Sequence, residues 1–161
     1  MDLKEHVVMK RNDLIFAAVL ALGGLAFFFS GRAPAASAEA AYEGEPQIVA
    51  ATFASAWCSS CKILKPRLSK VIADFEGKPV KFVEYDFTWG PRPEIRAAAV
   101  EDGLEPVYDR FAGGTGFTLL YNPETREIVD ILTINYSEKA MRTAVGQALA
   151  IASDDGAAAA N

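Results

Sequence analysis

Hydrophobic and polar positions follow different periods along the chain, and each period predicts an element. Ile48–Ala54 reads IVAATFA, a run of small and apolar residues suited to a strand buried on both faces. Trp57-Cys58-Ser59-Ser60-Cys61 then opens a helix. Ile63, Leu64, Leu68, Val71, Ile72 and Phe75 carry it at helical spacing to about residue 75, and Glu76-Gly77-Lys78 closes it. Pro79–Thr88 predicts a second strand. Residues 92–112 are helix-prone, Ala-rich at 97–99 and interrupted near Gly103 and Pro106. Phe117–Asn122 and Glu127–Ile134 predict two further strands, joined across Asn122-Pro123-Glu124-Thr125 as an antiparallel hairpin. Ser137 is placed to cap a last helix carrying Met141, Ala144, Val145, Leu149 and Ile151. The order β-α-β-α-β-β-α implies right-handed crossovers and a sheet with helices on both faces. Gly113-Gly114-Thr115-Gly116 lacks the spacing and the lysine of a phosphate loop, and reads as a flexible approach to the third strand.

The first 38 residues have a different pattern. Lys4, Lys10 and Arg11 precede an uncharged apolar run from Leu14 to Phe29, and Ser30-Gly31 and Pro34 break it. Ala36-Ser37-Ala38 offers the small residues that a signal peptidase accepts. A core helix would need a polar face, and this run has none. Residues 1–38 are therefore expected to be a signal peptide, cleaved near Ala38, or a retained anchor with residues 14–29 as a membrane tether. In both cases the remainder is exported, to the periplasm in a bacterium. Residues 39–45 read as a polar linker, 46–152 as the domain and 153–161 as a disordered tail.

Composition narrows the chemistry. Hydrophobic residues make up 51% of the 161, enough for a packed core. Sixteen basic against twenty-one acidic residues give a net charge of −5, which argues against a nucleic-acid partner. The one histidine, His6, precedes the expected domain, so no imidazole base and few metal sites are available within it.

The two cysteines, Cys58 and Cys61, are three positions apart, after a buried strand and at the opening of a helix. The first would sit at the helix N-terminus, where unpaired N–H groups and the macrodipole favour a thiolate. Such placement lowers a cysteine pKa from about 8.5 towards roughly 3.5–7.5. Cys58 is the candidate nucleophile and Cys61 the candidate resolving thiol. Lys62, Lys65, Arg67 and Lys70 add positive charge to the helix. An inert structural disulfide, a metal site and a merely solvated basic face are the competing readings. A bridge closing so short a loop adds little stability, and no third soft ligand is present.

Ala56-Trp57-Cys58-Ser59-Ser60-Cys61-Lys62, with Pro66 five residues beyond the second cysteine, resembles the active-site helix of thioredoxin-like proteins. The likeness extends over about 46–152 and is greatest to exported or membrane-tethered bacterial thioredoxins. It implies a three-layer α/β fold with a mixed central sheet. It also implies a disulfide between Cys58 and Cys61, and dithiol–disulfide exchange with protein thiols and disulfides and a redox partner. The cysteine pair is then the redox centre, with no separate cofactor. Trp57, Ser59, Ser60, Lys62, Gly116 and Phe117 become its substrate-binding or active-site neighbours. Three features depart from the family pattern. Ser59-Ser60 occupies the inner pair, Thr52 stands where the family has a buried acid, and Phe117 where it has a cis-proline. Phe117 is accordingly expected to present its ring beside Cys58 across a trans Gly116–Phe117 bond. The reaction leans towards the reductant direction. A redox-inactive binding module of the same fold is the alternative.

Overall fold

The computed structural model describes residues 44–159. The expected leader or anchor at 1–38, and residues 39–43 of the expected linker, lie outside them. Among the described residues, four strands and four helices follow in chain order: β1 Ile48–Ala54, α1 Cys61–Ala73, β2 Val80–Asp86, α2 Pro93–Glu101, α3 Glu105–Phe111, β3 Phe117–Asn122, β4 Glu127–Leu132 and α4 Glu138–Ala159. Among the described residues, no helix is long and apolar enough to cross a membrane.

The strands form one mixed sheet in the order β2-β1-β3-β4. β1 runs parallel to β2, with Ile48 opposite Val80 and Ala54 opposite Asp86. It runs antiparallel to β3, which pairs antiparallel with β4 across a register shift at Leu120/Tyr121. A parallel pair needs a crossover, and α1 supplies it. All seven residues of β1 are buried because both faces are covered. Ile48, Ala50, Phe82 and Leu120 meet Leu64, Leu68 and Val71 of α1 and Met141, Val145 and Ala148 of α4 on one face. Val49, Ala51, Phe53, Tyr85, Leu119 and Tyr121 meet Ile95, Ala99, Leu104, Val107 and Tyr108 on the other. The chain is thus an α/β structure with helices on both faces of a mixed sheet.

Local chemistry sets the boundaries. Pro93 opens α2 and Pro106 the first turn of α3, where a missing N–H costs nothing. Gly103, at φ +76°, makes the bend between them. The 92–112 region is helical as expected, but Ile95, Ala99, Leu104, Val107 and Tyr108 do the packing and Ala97 is exposed. Ser137 caps α4 as expected, its Oγ accepting from Ala140 N–H at 3.2 Å.

Several boundaries differ from the sequence reading, among them β2, which spans Val80–Asp86 and stops short of Thr88. α1 begins at Cys61 and ends at Ala73, followed by turns through Gly77. β4 stops at Leu132, because Arg67 reaches across and takes the carbonyls of Ile134 and Tyr136. Residues 153–159, expected in a disordered tail, continue α4. Ser153 Oγ donates to Gln47 Oε1 at 3.1 Å and Asn122 Nδ2 to Asp155 Oδ2 at 3.4 Å, which ties these turns to the sheet. Alanine, the strongest helix former, makes the extension inexpensive.

Leu64 is fully buried between α1 and the sheet, whereas its neighbour Ile63 is 46% exposed. Leu64→Ala is expected to lower unfolding free energy by about 2–5 kcal/mol, and Ile63→Ala by less than about 1. Urea titration followed by circular dichroism checks the contrast.

Candidate functional site

At the end of β1 the chain leaves the sheet in a turn, Cys58 N–H donating to Ser55 C=O at 3.2 Å. Cys58 and Cys61 follow, joined by a disulfide with their Cα atoms 5.3 Å apart. Cys58 was expected to begin the helix. It instead lies two residues before the N-cap, Ser60, and Cys61 is the first helical residue. The Ser60 side chain makes no capping bond. One of the helix's otherwise unpaired N–H groups, that of Cys61, points at Cys58 Sγ from 3.0 Å. In the reduced state this donor and the positive end of α1 favour negative charge on Cys58. Cys61 is 3% exposed and Cys58 is half-buried, so an incoming group has readier access to Cys58.

Gly116, the residue before β3, closes the site where the two inner strands meet. Its N–H donates to Phe53 C=O at 2.8 Å, and its φ is +96°. A Cβ there would lie 2.9 Å from Ser60 Cβ and 3.3 Å from Cys58 Sγ. The bare backbone is what lets β3 approach the sulfur. Phe117, expected beside Cys58, does not present its ring there. Side chains alternate across a strand, and the Phe117 ring stacks on Phe53 at 5.0 Å, in the cluster on the opposite face. No cis peptide bond occurs among the described residues, so the Gly116–Phe117 bond is trans as expected.

Of the other expected neighbours, Trp57 is 76% exposed, and Ser59 and Lys62 are also exposed. Of the four cations expected on α1, two are ion-paired. Lys65 pairs with Glu84 at 2.6 Å, Lys70 with Glu138 at 2.6 Å, and Arg67 is committed to its two carbonyls. Beneath α1, Thr52 and Thr118 share a buried hydroxyl–hydroxyl bond of 2.9 Å. This pair is uncharged and places no carboxylate under the helix. Among the described residues, no cluster of three potential metal ligands is present.

Sequence reasoning missed the loop after β2. Thr88 Oγ1 accepts from Ala56 N–H at 2.8 Å and donates to Asp86 Oδ1 in a very short bond. Thr88 N–H also donates to Asp86 Oδ1, at 2.8 Å. These bonds fasten the turn carrying Cys58 to the end of β2. The Thr88 hydroxyl, assisted by its N–H and by Arg92 and Lys65, holds the Asp86 carboxyl below the usual aspartate range. The available signal was Thr88-Trp89-Gly90, a polar–aromatic–glycine turn belonging to neither neighbouring period.

No family model matches the chain, and no curated protein matches it. A solved structure described as "Structure of a malarial protein" aligns over 64% of this chain and 98% of its own length, with 12% identity and a TM-score of 0.41.

Two outcomes are expected. Gly116→Ala forces Ser60 or the β3 approach to move at a strained φ, so it should destabilise the fold by about 1–3 kcal/mol and alter the reaction rate of Cys58 with a small disulfide. Denaturant titration and stopped-flow absorbance measure the two effects. Asp86 has a folded pKa below its unfolded value of about 3.9. Its contribution is complete above that value and is lost as pH falls through the folded pKa. The stability gap between wild type and Asp86→Asn should therefore be constant from pH 5 to 7 and narrow below about pH 4. Thermal melts across that range check it.

Proposed function

We propose that this chain is a thioredoxin-like, exported thiol–disulfide oxidoreductase acting on protein substrates through Cys58 and Cys61. The observation that carries the reading is the asymmetry of the pair. Cys58 is accessible and receives a helix-terminal N–H on its sulfur, while Cys61 is buried one turn behind it. A bridge serving stability alone would gain little from that exposure, and so short a loop removes little chain entropy. The Cys-x-x-Cys spacing and the mixed α/β architecture are compatible with the family the sequence resembles.

In the reductant direction, the Cys58 thiolate attacks one sulfur of a substrate disulfide. The S–S bond breaks, and the departing substrate sulfur leaves as a thiolate that takes up a proton. Cys61 then loses its proton and attacks Cys58 Sγ in the mixed disulfide. The Cys58–Cys61 bond forms, the second substrate thiol is released, and two electrons have passed to the substrate. A dithiol reductant must return the pair to its starting state. The reverse sequence would oxidise a substrate dithiol. Thr52 and Thr118 offer no carboxylate to take the Cys61 proton, so water or the departing thiolate accepts it. The leader-like pattern at 1–38 supports an exported location.

Cys61→Ser should accumulate mixed disulfides with protein partners through Cys58, while Cys58→Ser should accumulate none. Non-reducing electrophoresis of alkylated extracts reads both. Failure of Cys61→Ser to trap any partner, together with no reduction of a protein disulfide by the wild-type chain, would overturn the proposal.

A further inference from the structure

Both tryptophans of the chain are about three-quarters exposed, Trp57 at 76% and Trp89 at 75%. Every other aromatic side chain among the described residues is buried or partly buried. The two stand on neighbouring loops, because Ala56 N–H and Thr88 Oγ1, the residues just before them, are bonded at 2.8 Å. On the other side of Trp89, Gly90 N–H donates to Phe87 C=O at 2.9 Å, and Pro91 lies near Gly113. A Cβ on Gly113 would lie 3.5 Å from Pro91 Cγ. Trp89 therefore sits on a loop bonded to the turn carrying Cys58, and that loop passes close to Gly113, three residues before the Gly116 that abuts the sulfur. The 113–116 strip, Gly-Gly-Thr-Gly, carries no charge.

We propose that Trp89 is a specificity-determining residue of the exchange site. Its indole grips an apolar side chain that flanks the cysteine attacked by Cys58, so the site selects peptide disulfides with an apolar neighbour. The inference rests on the exchange reaction proposed above. A large exposed indole on a tethered loop loses little freedom on binding, and burying it removes much apolar surface from water. Tryptophan is the residue type most enriched among side chains that dominate binding energy. Phe117, packed into the opposite face, is not placed to supply this contact.

The test uses the full-length chain, reduced with dithiothreitol and freed of it. Two symmetric peptide disulfides serve as substrates, identical except for Leu or Ser beside the cysteine, and dithionitrobenzoate serves as a small disulfide. In this single turnover, wild type should favour the Leu peptide by roughly tenfold in the apparent second-order rate constant, mostly through a lower half-saturating peptide concentration. Trp89→Ala should abolish that preference while leaving the dithionitrobenzoate rate within about twofold, and Trp89→Phe should retain most of it. Equal use of both peptides by wild type, or an undiminished preference in Trp89→Ala, overturns the inference. So does an equal loss of rate towards peptide and small disulfide. Absence of exchange with all three substrates overturns the underlying reaction, a different result from exchange without selectivity.

Discussion

The contact on which the rest depends is the stacking of aromatic rings around Phe53. In register, Phe53 lies between Tyr85 of β2 and Phe117 of β3. Its ring meets Tyr85 edge-on at 5.4 Å, stacks on Phe87 at 5.6 Å and on Phe117 at 5.0 Å, and is approached by Tyr108 and Phe111 from α3. Pairs of this kind add about 0.5–1.5 kcal/mol each beyond area burial. Their position matters as much as their energy. Phe53 is the second-last residue of β1, so the cluster fixes the end of the strand from which the Cys58 turn departs. It also fixes the start of β3, where Gly116 meets the sulfur. Tyr85 adds a bond from its hydroxyl to Asp102 at 2.6 Å, and burial followed by that bond pushes its pKa well up. Asp102 in turn pairs with Lys81 at 2.8 Å, anchoring the end of α2 to β2.

The two faces of the sheet consequently do different work at the same edge. One face is rich in aromatic rings and belongs to α2 and α3. The other carries α1, the Thr52–Thr118 pair and the disulfide. Placing glycine at 116 and phenylalanine at 117 serves both faces with adjacent residues: the missing side chain makes room for sulfur, and the large one fills the core behind it. Exchanging the two would create a clash on one face and a void on the other.

Much of this was legible in the sequence. The unbroken IVAATFA run, the helical spacing from Ile63 to Phe75 and the turn at 122–125 reflect periods that tertiary context left intact. Cys58 and Cys61 were legible because their spacing has a chemical consequence. What escaped had physical reasons. The start of α1 is marked by Cys58 Sγ taking the Cys61 N–H, which no periodicity records. The direction of the Phe117 ring follows from strand parity, and the likeness to a proline-bearing strand obscured that parity. The end of α4 depends on Gln47 and Asn122, more than 30 residues away in sequence, so a low-complexity alanine run gave no local sign of being docked. Thr88 and Asp86 act through a bond to a backbone amide 32 residues earlier, equally invisible to local pattern.

The bond between Ser153 and Gln47 has a practical consequence. It brings the last turns of α4 to the point where the chain enters β1, at the opposite end of that strand from the disulfide. Seven residues of strand separate the two, a span of about 20 Å. A surface linker, an affinity handle or a fused carrier attached ahead of Gln47 would therefore pull on the blunt end of the sheet and leave the sulfur end facing outward. Immobilisation through that end should give an oriented layer in which every copy offers Cys58 to solution.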